Sequence, residues 1–303
     1  MELKIFYVEA FSDKIFGGNT AAVVIDDAQL STHQMQKIAC QLKLSETAFV
    51  KIDTNEKNNF IVRFFTPLQE VDLCGHATIA TFEVLYKNGY IDIEGRNANC
   101  SQITKAGKFE VQIEIEDENT SKIVMLQGDP RIVNKNIDTD KLCSILGIDI
   151  KDIGIDGFHL TPQVVTTGLE DIIFPVKKLE VLKEIKPNMN KLADVCRELD
   201  IIGIHCFTTE TLDSGAHAHC RNFAPLVGIN EEAATGTSSG ALAYYLIENN
   251  IYPLSNSRSF TFEQGFVMNR PSRIHATIIK DHLHKKIYVG GQAKIFISGV
   301  LSL

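Results

Sequence analysis

The sequence predicts an α+β chain of two similar lobes, each a curved, mostly antiparallel sheet wrapped around a central helix. A duplicated pattern is the first sign. Arg63, Phe64, Phe65, Thr66 and Pro67 lead through a polar loop to Gly75, His76, Ala77 and Thr78, and Arg221, Asn222, Phe223, Ala224 and Pro225 lead the same way to Gly236, Thr237, Ser238 and Ser239, with Phe65 and Phe223 offset by 158. A second match lies upstream: Met35, Gln36, Lys37, Ile38, Ala39 is echoed by Met189, Asn190, Lys191, Leu192, Ala193 at an offset of 154. One repeat of half the chain makes two facing lobes, because a solenoid needs at least about three shorter repeats. The third sign is the small-residue opening of both helices, Gly75, Ala77 and Ala80 in one and Gly236, Ser239, Gly240, Ala241 and Ala243 in the other. Glycine in a helix costs about 1 kcal/mol relative to alanine, so its repeated use points to close packing or to ligand approach.

Taken in order, Lys4 to Glu9 alternates as a strand, Gly17, Gly18 and Asn19 mark a turn, and Ala21 to Ile25 forms the next strand. Ser31 with Gln34 three positions later signals a capping box, and Met35, Ile38, Ala39 and Leu42 share one helical face. Ser45, Glu46 and Thr47 join that helix to a strand over 48–52. After the first central helix, strands are expected near 102–104, 109–115 and 123–126. The turn at 117–121 marks the lobe boundary, giving lobes at 1–118 and 122–289, with the segment 290–303 returning to the first. The second lobe opens on a helix over 140–146, strands at 163–167 and 171–176, a helix over 189–199 and strands at 203–208 and 217–223. Past its central helix, strands follow at 259–263, 274–279, 286–289 and 294–300.

Composition narrows the class. With 303 residues, 44% apolar and 22% charged, the chain has ample material for a folded core. A net charge of −8 argues against a nucleic-acid surface, which needs clustered Lys and Arg to neutralise phosphates, and the basic cluster at 282–286 is short. Seven cysteines, odd in number and without CxxC spacing, make neither a disulfide framework nor a zinc site. The first residues lack the charged and apolar regions of a signal peptide, and no apolar run is long enough for a membrane span. A reduced, cytoplasmic protein is the expectation.

Candidate chemical residues gather at the two helix starts, where unpaired amides and the positive end of the macrodipole suit a substrate carboxylate. Glu46 at the mouth of an apolar strand is either a solvated loop residue or a desolvated acid/base whose pKa burial raises. His76 in a first helical turn is either a satisfied core histidine or a neutral imidazole, its pKa lowered by the dipole. Cys74 is either a thiolate at a helix N-terminus or, preferred, a small buried hydrophobe. Glu231 and Glu232 read as dipole-stabilising acids or catalytic groups, and Thr235 and Thr237 as caps or substrate contacts, capping preferred. No Cys or carboxylate stands at ligand spacing around His76, His217 or His219, so no metal is expected. The stretch 236–240 lacks the Lys of a phosphate loop.

An ordered series of motifs runs along nearly the whole chain: Phe16-Gly17-Gly18-Asn19 with Ala21 to Val24; Ser45-Glu46-Thr47-Ala48; Arg63 to Pro67 with Glu70 and Gly75-His76-Ala77-Thr78; Glu231 to Thr237; Glu263-Gln264-Gly265 with Arg270-Pro271-Ser272; and Gly290-Gly291-Gln292-Ala293. This series resembles that of the PhzF family of phenazine-biosynthesis-like isomerases. The resemblance implies the diaminopimelate-epimerase-like fold, a site between the lobes, a homodimer, and an isomerase that moves a proton between carbons of a small carboxylate-bearing molecule without metal or organic cofactor. Carried over by position, it makes Glu46 the proton-shuttling glutamate, His76 and Glu232 its catalytic partners, and Asn19, Gly75, Gly236 and Thr237 substrate contacts.

The chain departs from the family pattern at Glu232, where Asp is usual, at Thr237 in place of Ser, and at Thr20, Ala77 and Ala233 in place of Pro. Glu for Asp moves a carboxylate by about 1 Å, enough to matter for rate, and points to a substrate other than the phenazine precursor. Two alternatives stay open. One is a two-base racemase or epimerase of the same fold using Cys74, although Thr235 occupies the place of the second cysteine. The other is a non-catalytic small-molecule-binding protein.

Overall fold

The computed structural model describes residues 2–53, 56–117, 120–282 and 284–303. Met1, residues 118–119 of the expected boundary turn and residue 283 of the short basic cluster lie outside the described residues. The chain divides into two compact units, Met1–Leu126 with Gly290–Leu303, and Gln127–Val289. The strand Ser121–Leu126, assigned to the second lobe from sequence, therefore sits with the first unit. Its residues Ser121, Ile123, Val124 and Met125 are buried and it pairs antiparallel with Gly107–Ile115, which ties it to the sheet before it.

In the first unit, Glu2–Ala10 lies antiparallel to both Asn19–Ile25 and the C-terminal strand Ala293–Ser302. Asn19–Ile25 runs parallel to Glu46–Ile52, which is antiparallel to Asn59–Phe65. That strand runs parallel to Asn97–Thr104, which is antiparallel to Gly107–Ile115. The helix Thr32–Leu42 bridges the first parallel pair and Gly75–Lys87 the second. Antiparallel neighbours need only short turns, whereas each parallel neighbour demands a crossover, and both crossovers here are helical.

The second unit repeats the ladder. Glu170–Pro175 is parallel to Gly203–Thr208, antiparallel in turn to Ala218–Ala224, which is parallel to Ser257–Gln264 and through it antiparallel to Ser272–Asp281. Met189–Leu199 and Gly236–Glu248 are its crossover helices. The Arg and Phe that recur at an offset of 158 occupy the same places in the two ladders: Arg63 and Phe65 face Phe49 and Thr47, and Arg221 and Phe223 face Cys206 and Ile204.

The two helix types differ because their surroundings do. Met189–Leu199 buries one stripe, Leu192, Ala193, Val195 and Cys196, against a cluster that includes Ile204, Cys206 and Phe223. It starts at Asn188, whose side chain accepts from the Lys191 amide, as Ser31 accepts from Gln34 at the start of Thr32–Leu42. The two central helices are buried on all sides instead, from His76 to Leu85 without a break in the first. Gly75–Lys87 packs against Glu2–Ala10, Asn19–Ile25, Glu46–Ile52, Ser121–Leu126 and Ala293–Ser302. Gly236–Glu248 packs against Gln163–Thr166, Glu170–Pro175 and Ser272–Asp281. Small residues let that approach happen: a Cβ on Gly240 would come 3.1 Å from Val289 Cγ2.

Elements too short for periodicity to reveal also appear. Glu70–Val71 and Ile229–Glu232 are strands inside the two segments read as polar loops, each pairing back onto the strand before it. A one-and-a-half-turn helix, Leu179–Glu184, also went unread. No helix among the described residues is long and apolar enough to cross a membrane.

Candidate active site

Glu46 is the first residue of the strand Glu46–Ile52 and sits opposite Ala21 of its parallel neighbour. Thr47, Ala48, Phe49 and Val50 behind it are buried, so folding the strand into the sheet draws Glu46 out of water, and 9% of its surface stays accessible. His76 is the second residue of the first central helix and is buried; Cys74 is that helix's N-cap residue. Glu46 Oε2 lies 3.0 Å from His76 Nε2. The contact is an ion pair between two buried groups when the imidazole is protonated. Ser45 Oγ lies 3.2 Å from the same Nε2 and reaches the Thr20 carbonyl at 3.4 Å. On the other side of the ring, Cys74 Sγ lies 3.4 Å from His76 Nδ1.

These neighbours reverse two sequence expectations. Burial pushes the Glu46 carboxyl up, but the charge of His76 together with hydrogen bonding from His76 and Ser45 outweighs it, and the group is held below its ordinary value. Burial likewise pushes the His76 imidazole down, yet the Cys74 sulfur and the Glu46 carboxylate overcome this and hold it well above its ordinary value. Burial, with the Glu46 charge added to it, raises the Cys74 thiol. The resting arrangement is therefore a buried carboxylate beside an imidazolium. The neutral imidazole and the raised glutamate expected from dipole and burial alone do not survive a partner at 3.0 Å.

Asn19 is buried at the head of Asn19–Ile25, next to Thr20 whose carbonyl receives Ser45. The turn before it depends on Gly18, which has φ +66 and whose Cβ would fall 2.3 Å from the Ala10 carbonyl oxygen. Gly75 differs: a Cβ there would meet nothing within 4 Å. Packing against the protein does not explain that glycine. Neither central helix is capped by a side chain at its start, Cys74 and Thr235 making no cap hydrogen bond. Capping, preferred for Thr235 from sequence, is thus not its role; its hydroxyl donates to Glu232 Oε2 at 2.8 Å.

In the second unit Glu231 and Glu232 end the strand Ile229–Glu232 and no acid occupies the first helical turn, which corrects the dipole reading. Glu231 is taken by Arg221, as Glu70 is by Arg63. The loop from Glu232 to Thr235 is fixed by Gln264: its Nε2 donates to the Glu232 carbonyl at 2.7 Å and to Thr235 Oγ1 at 3.0 Å, and its Oε1 accepts from the Thr235 amide at 3.2 Å. Gly236 is buried at the helix start, and the Thr237 carbonyl accepts from Thr167 Oγ1 at 3.0 Å. His219 also has a carboxylate partner that its sequence spacing hides, Glu263, whose Oε2 lies 2.8 Å from Nδ1. Gln264 and Glu263 stood in the motif series without a role; only cross-strand pairing shows what they touch.

Comparison with known proteins agrees in order and extent. The family described as phenazine biosynthesis-like protein matches residues 8–299. An uncharacterised isomerase of Clostridium acetobutylicum is 31% identical over 99% of this chain and 98% of its own length. The crystal structure of a Bacillus anthracis phenazine biosynthesis protein of the PhzF family superimposes with a TM-score of 0.90 at 28% identity, covering all of both chains. A hydroxyproline epimerase from Agrobacterium vitis, solved with trans-4-hydroxy-L-proline, shares the fold at a TM-score of 0.65, 9% identity and coverage of 100% of this chain and 93% of that one.

Proposed function

We propose, from the premise that this chain belongs to the phenazine biosynthesis-like protein family, that it is an isomerase moving a proton between carbons of a small carboxylate-bearing metabolite without a cofactor. The observation that carries the reading is Glu46: a nearly buried carboxylate whose Oε2 lies 3.0 Å from His76 Nε2, which keeps it ionised. A carboxylate drawn out of water and ionised is suited to take a proton from carbon. The ion pair gives His76 the complementary part. As an imidazolium it stabilises the carboxylate before abstraction, and it can donate toward negative charge that develops on the substrate.

Gly75 supports the reading. A glycine in a helical first turn with open space where its Cβ would be suits the approach of a ligand to the backbone, and a substrate carboxylate gains from the amides and dipole there. On the family motif we extend the proposal to Glu232 as a second acid/base, to Asn19, Gly236 and Thr237 as substrate contacts, and to a homodimer, which sedimentation of the purified chain tests. The two-base reading with Cys74 lacks its second thiol, since Thr235 gives its hydroxyl to Glu232.

The test is turnover in heavy water. A panel of small carboxylate metabolites is incubated with the enzyme in D2O, and deuterium entering a carbon position is read by mass spectrometry. Glu46→Gln abolishes that incorporation and leaves ligand affinity nearly unchanged. Incorporation by Glu46→Gln at the rate of the unaltered chain refutes the role of Glu46, and a ligand that binds without any exchange favours the non-catalytic alternative.

A further inference from the structure

We propose that Ser45 is the positioning residue of the Glu46–His76 pair: its hydroxyl keeps His76 aimed at Glu46 while Glu46 gains and loses a proton. This deepens the isomerase reading above and rests on it. Ser45 comes two residues after Lys43, the left-handed C-cap of the helix Thr32–Leu42, and directly precedes the strand Glu46–Ile52. Helix end and strand start therefore hold it, half-buried, at the mouth of the strand.

The geometry gives the hydroxyl two parts to play. An imidazolium carries one proton on Nε2, and two acceptors stand at that edge of the ring: Glu46 Oε2 at 3.0 Å and Ser45 Oγ at 3.2 Å. The proton of Ser45 in turn has two acceptors, the Thr20 carbonyl at 3.4 Å and the Glu46 carboxylate, which a hydrogen bond from Ser45 helps to hold below its ordinary pKa. When Glu46 takes a proton from carbon, its charge and its attraction for the imidazolium vanish together. Ser45 stays neutral throughout, so its lone pair still holds Nε2–H while its own proton rests on the Thr20 carbonyl. The ring is then in place when Glu46 returns the proton.

Without the hydroxyl, the attraction at that edge of the ring would come and go with the charge of Glu46. The neighbouring titratable groups do not take its place. Cys74 Sγ lies at the opposite edge, 3.4 Å from Nδ1. Glu9 stands across the sheet from Thr20 and accepts its hydroxyl at 2.8 Å, which puts it on the face opposite that of Ala21 and Glu46.

Two kinetic variants and one signal from the unaltered chain test this. Ser45→Ala lowers kcat for the substrate found by deuterium incorporation by roughly tenfold or more and leaves KM within about twofold, because the substrate itself loses no contact. Losing a hydrogen bond to the ionised carboxyl raises Glu46, so the acid limb of kcat/KM moves to higher pH. Ser45→Thr keeps the hydroxyl and restores both the limb and kcat. In the unaltered chain, where no folding defect can intervene, proton NMR is expected to show His76 Nε2–H persisting as pH falls through the titration of Glu46. An acid limb that stays in place in Ser45→Ala, a Ser45→Thr variant as slow as Ser45→Ala, or an Nε2–H signal that vanishes as Glu46 is protonated overturns the proposal. Absence of deuterium incorporation by the unaltered chain would refute the isomerase reading instead, and the NMR signal does not depend on turnover.

Discussion

Arg221 holds Glu231 by two parallel hydrogen bonds of 2.8 Å each, and its third nitrogen donates to the carbonyls of Leu182, Lys183 and Ile185 at the end of the helix Leu179–Glu184. Arg63 holds Glu70 in the same fork, at 2.7 and 2.9 Å, but its side chain is 30% exposed against 6% for Arg221. Each guanidinium also lies over the Phe two residues on. The repeat has kept one device and buried it to two depths. Removing one partner of a buried pair strands the other and costs about 3–5 kcal/mol, whereas a pair nearer to solvent costs less, toward the roughly 1 kcal/mol of an exposed one. Arg221→Ala should therefore lower the urea midpoint far more than Arg63→Ala. Equal losses would show that burial does not set the difference.

The Glu46–His76 pair makes stability depend on pH in a defined window. Glu46 is held below its ordinary value, so its contribution is present above the unfolded carboxyl pKa of about 4.3 and is lost as pH falls through the lower folded value. His76 is held well above its ordinary value, so its contribution is complete below the unfolded imidazole pKa of about 6.5 and is lost as pH rises through the folded value. Both are in force at weakly acid pH. The stability difference between the unaltered chain and His76→Gln should be greatest there and shrink as pH climbs past neutrality. A difference that stays flat from weakly acid to alkaline pH rules out the ion pair.

Asp171 behaves the other way. Burial pushes its carboxyl up to about 6, against hydrogen bonds from Ser238 Oγ at 2.5 Å and from the Gly203 amide, and its Oδ1 is buried with no partner. An acid raised on folding binds its proton more tightly in the native state, so stability falls as pH rises from the unfolded value of about 3.9 through the folded one. Two pKa units correspond to on the order of 3 kcal/mol at neutral pH. Asp171→Asn is expected to flatten the stability profile between pH 4 and 6, and to be at least as stable as the unaltered chain at pH 7. Calorimetric midpoints across that range decide it; an Asn variant with the same slope places the titration elsewhere.

Two glycines separate backbone need from ligand need. Gly18→Ala forces a Cβ against the Ala10 carbonyl at a positive φ, and destabilisation of about 2 kcal/mol or more is expected. Gly75→Ala adds a methyl in open space at a helix start, where stability holds or rises by up to about 1 kcal/mol. The proposed substrate site loses its clearance, so KM for the substrate found by deuterium incorporation should rise at least tenfold with folding intact. An unchanged KM would remove Gly75 from the substrate's path.

The architecture was legible where pattern carries it. Met189–Leu199 and Gly203–Thr208 begin and end where periodicity and caps place them, because an amphipathic stripe and an apolar run are properties of adjacent residues. What stayed hidden depends on contacts between distant ones. Glu231 reads as a helix-start acid until the strand Ile229–Glu232 folds back and hands it to Arg221. The sign of the shifts at Glu46 and His76 is set by one distance, which neither local sequence contains. Gln264 looks like any polar strand residue, and only the turn of the chain brings Glu232 and Thr235 to its amide.

The strand Ala293–Ser302 lies along Glu2–Ala10, so the unit carrying Glu46 is sewn shut by a strand made after Gln127–Val289, which is one unbroken segment. During synthesis the latter has all its residues before the ribosome releases the former's closing strand. A nascent chain arrested just short of residue 293 would expose an unsatisfied sheet edge at Glu2–Ala10, a surface for chaperones to guard until the seam closes.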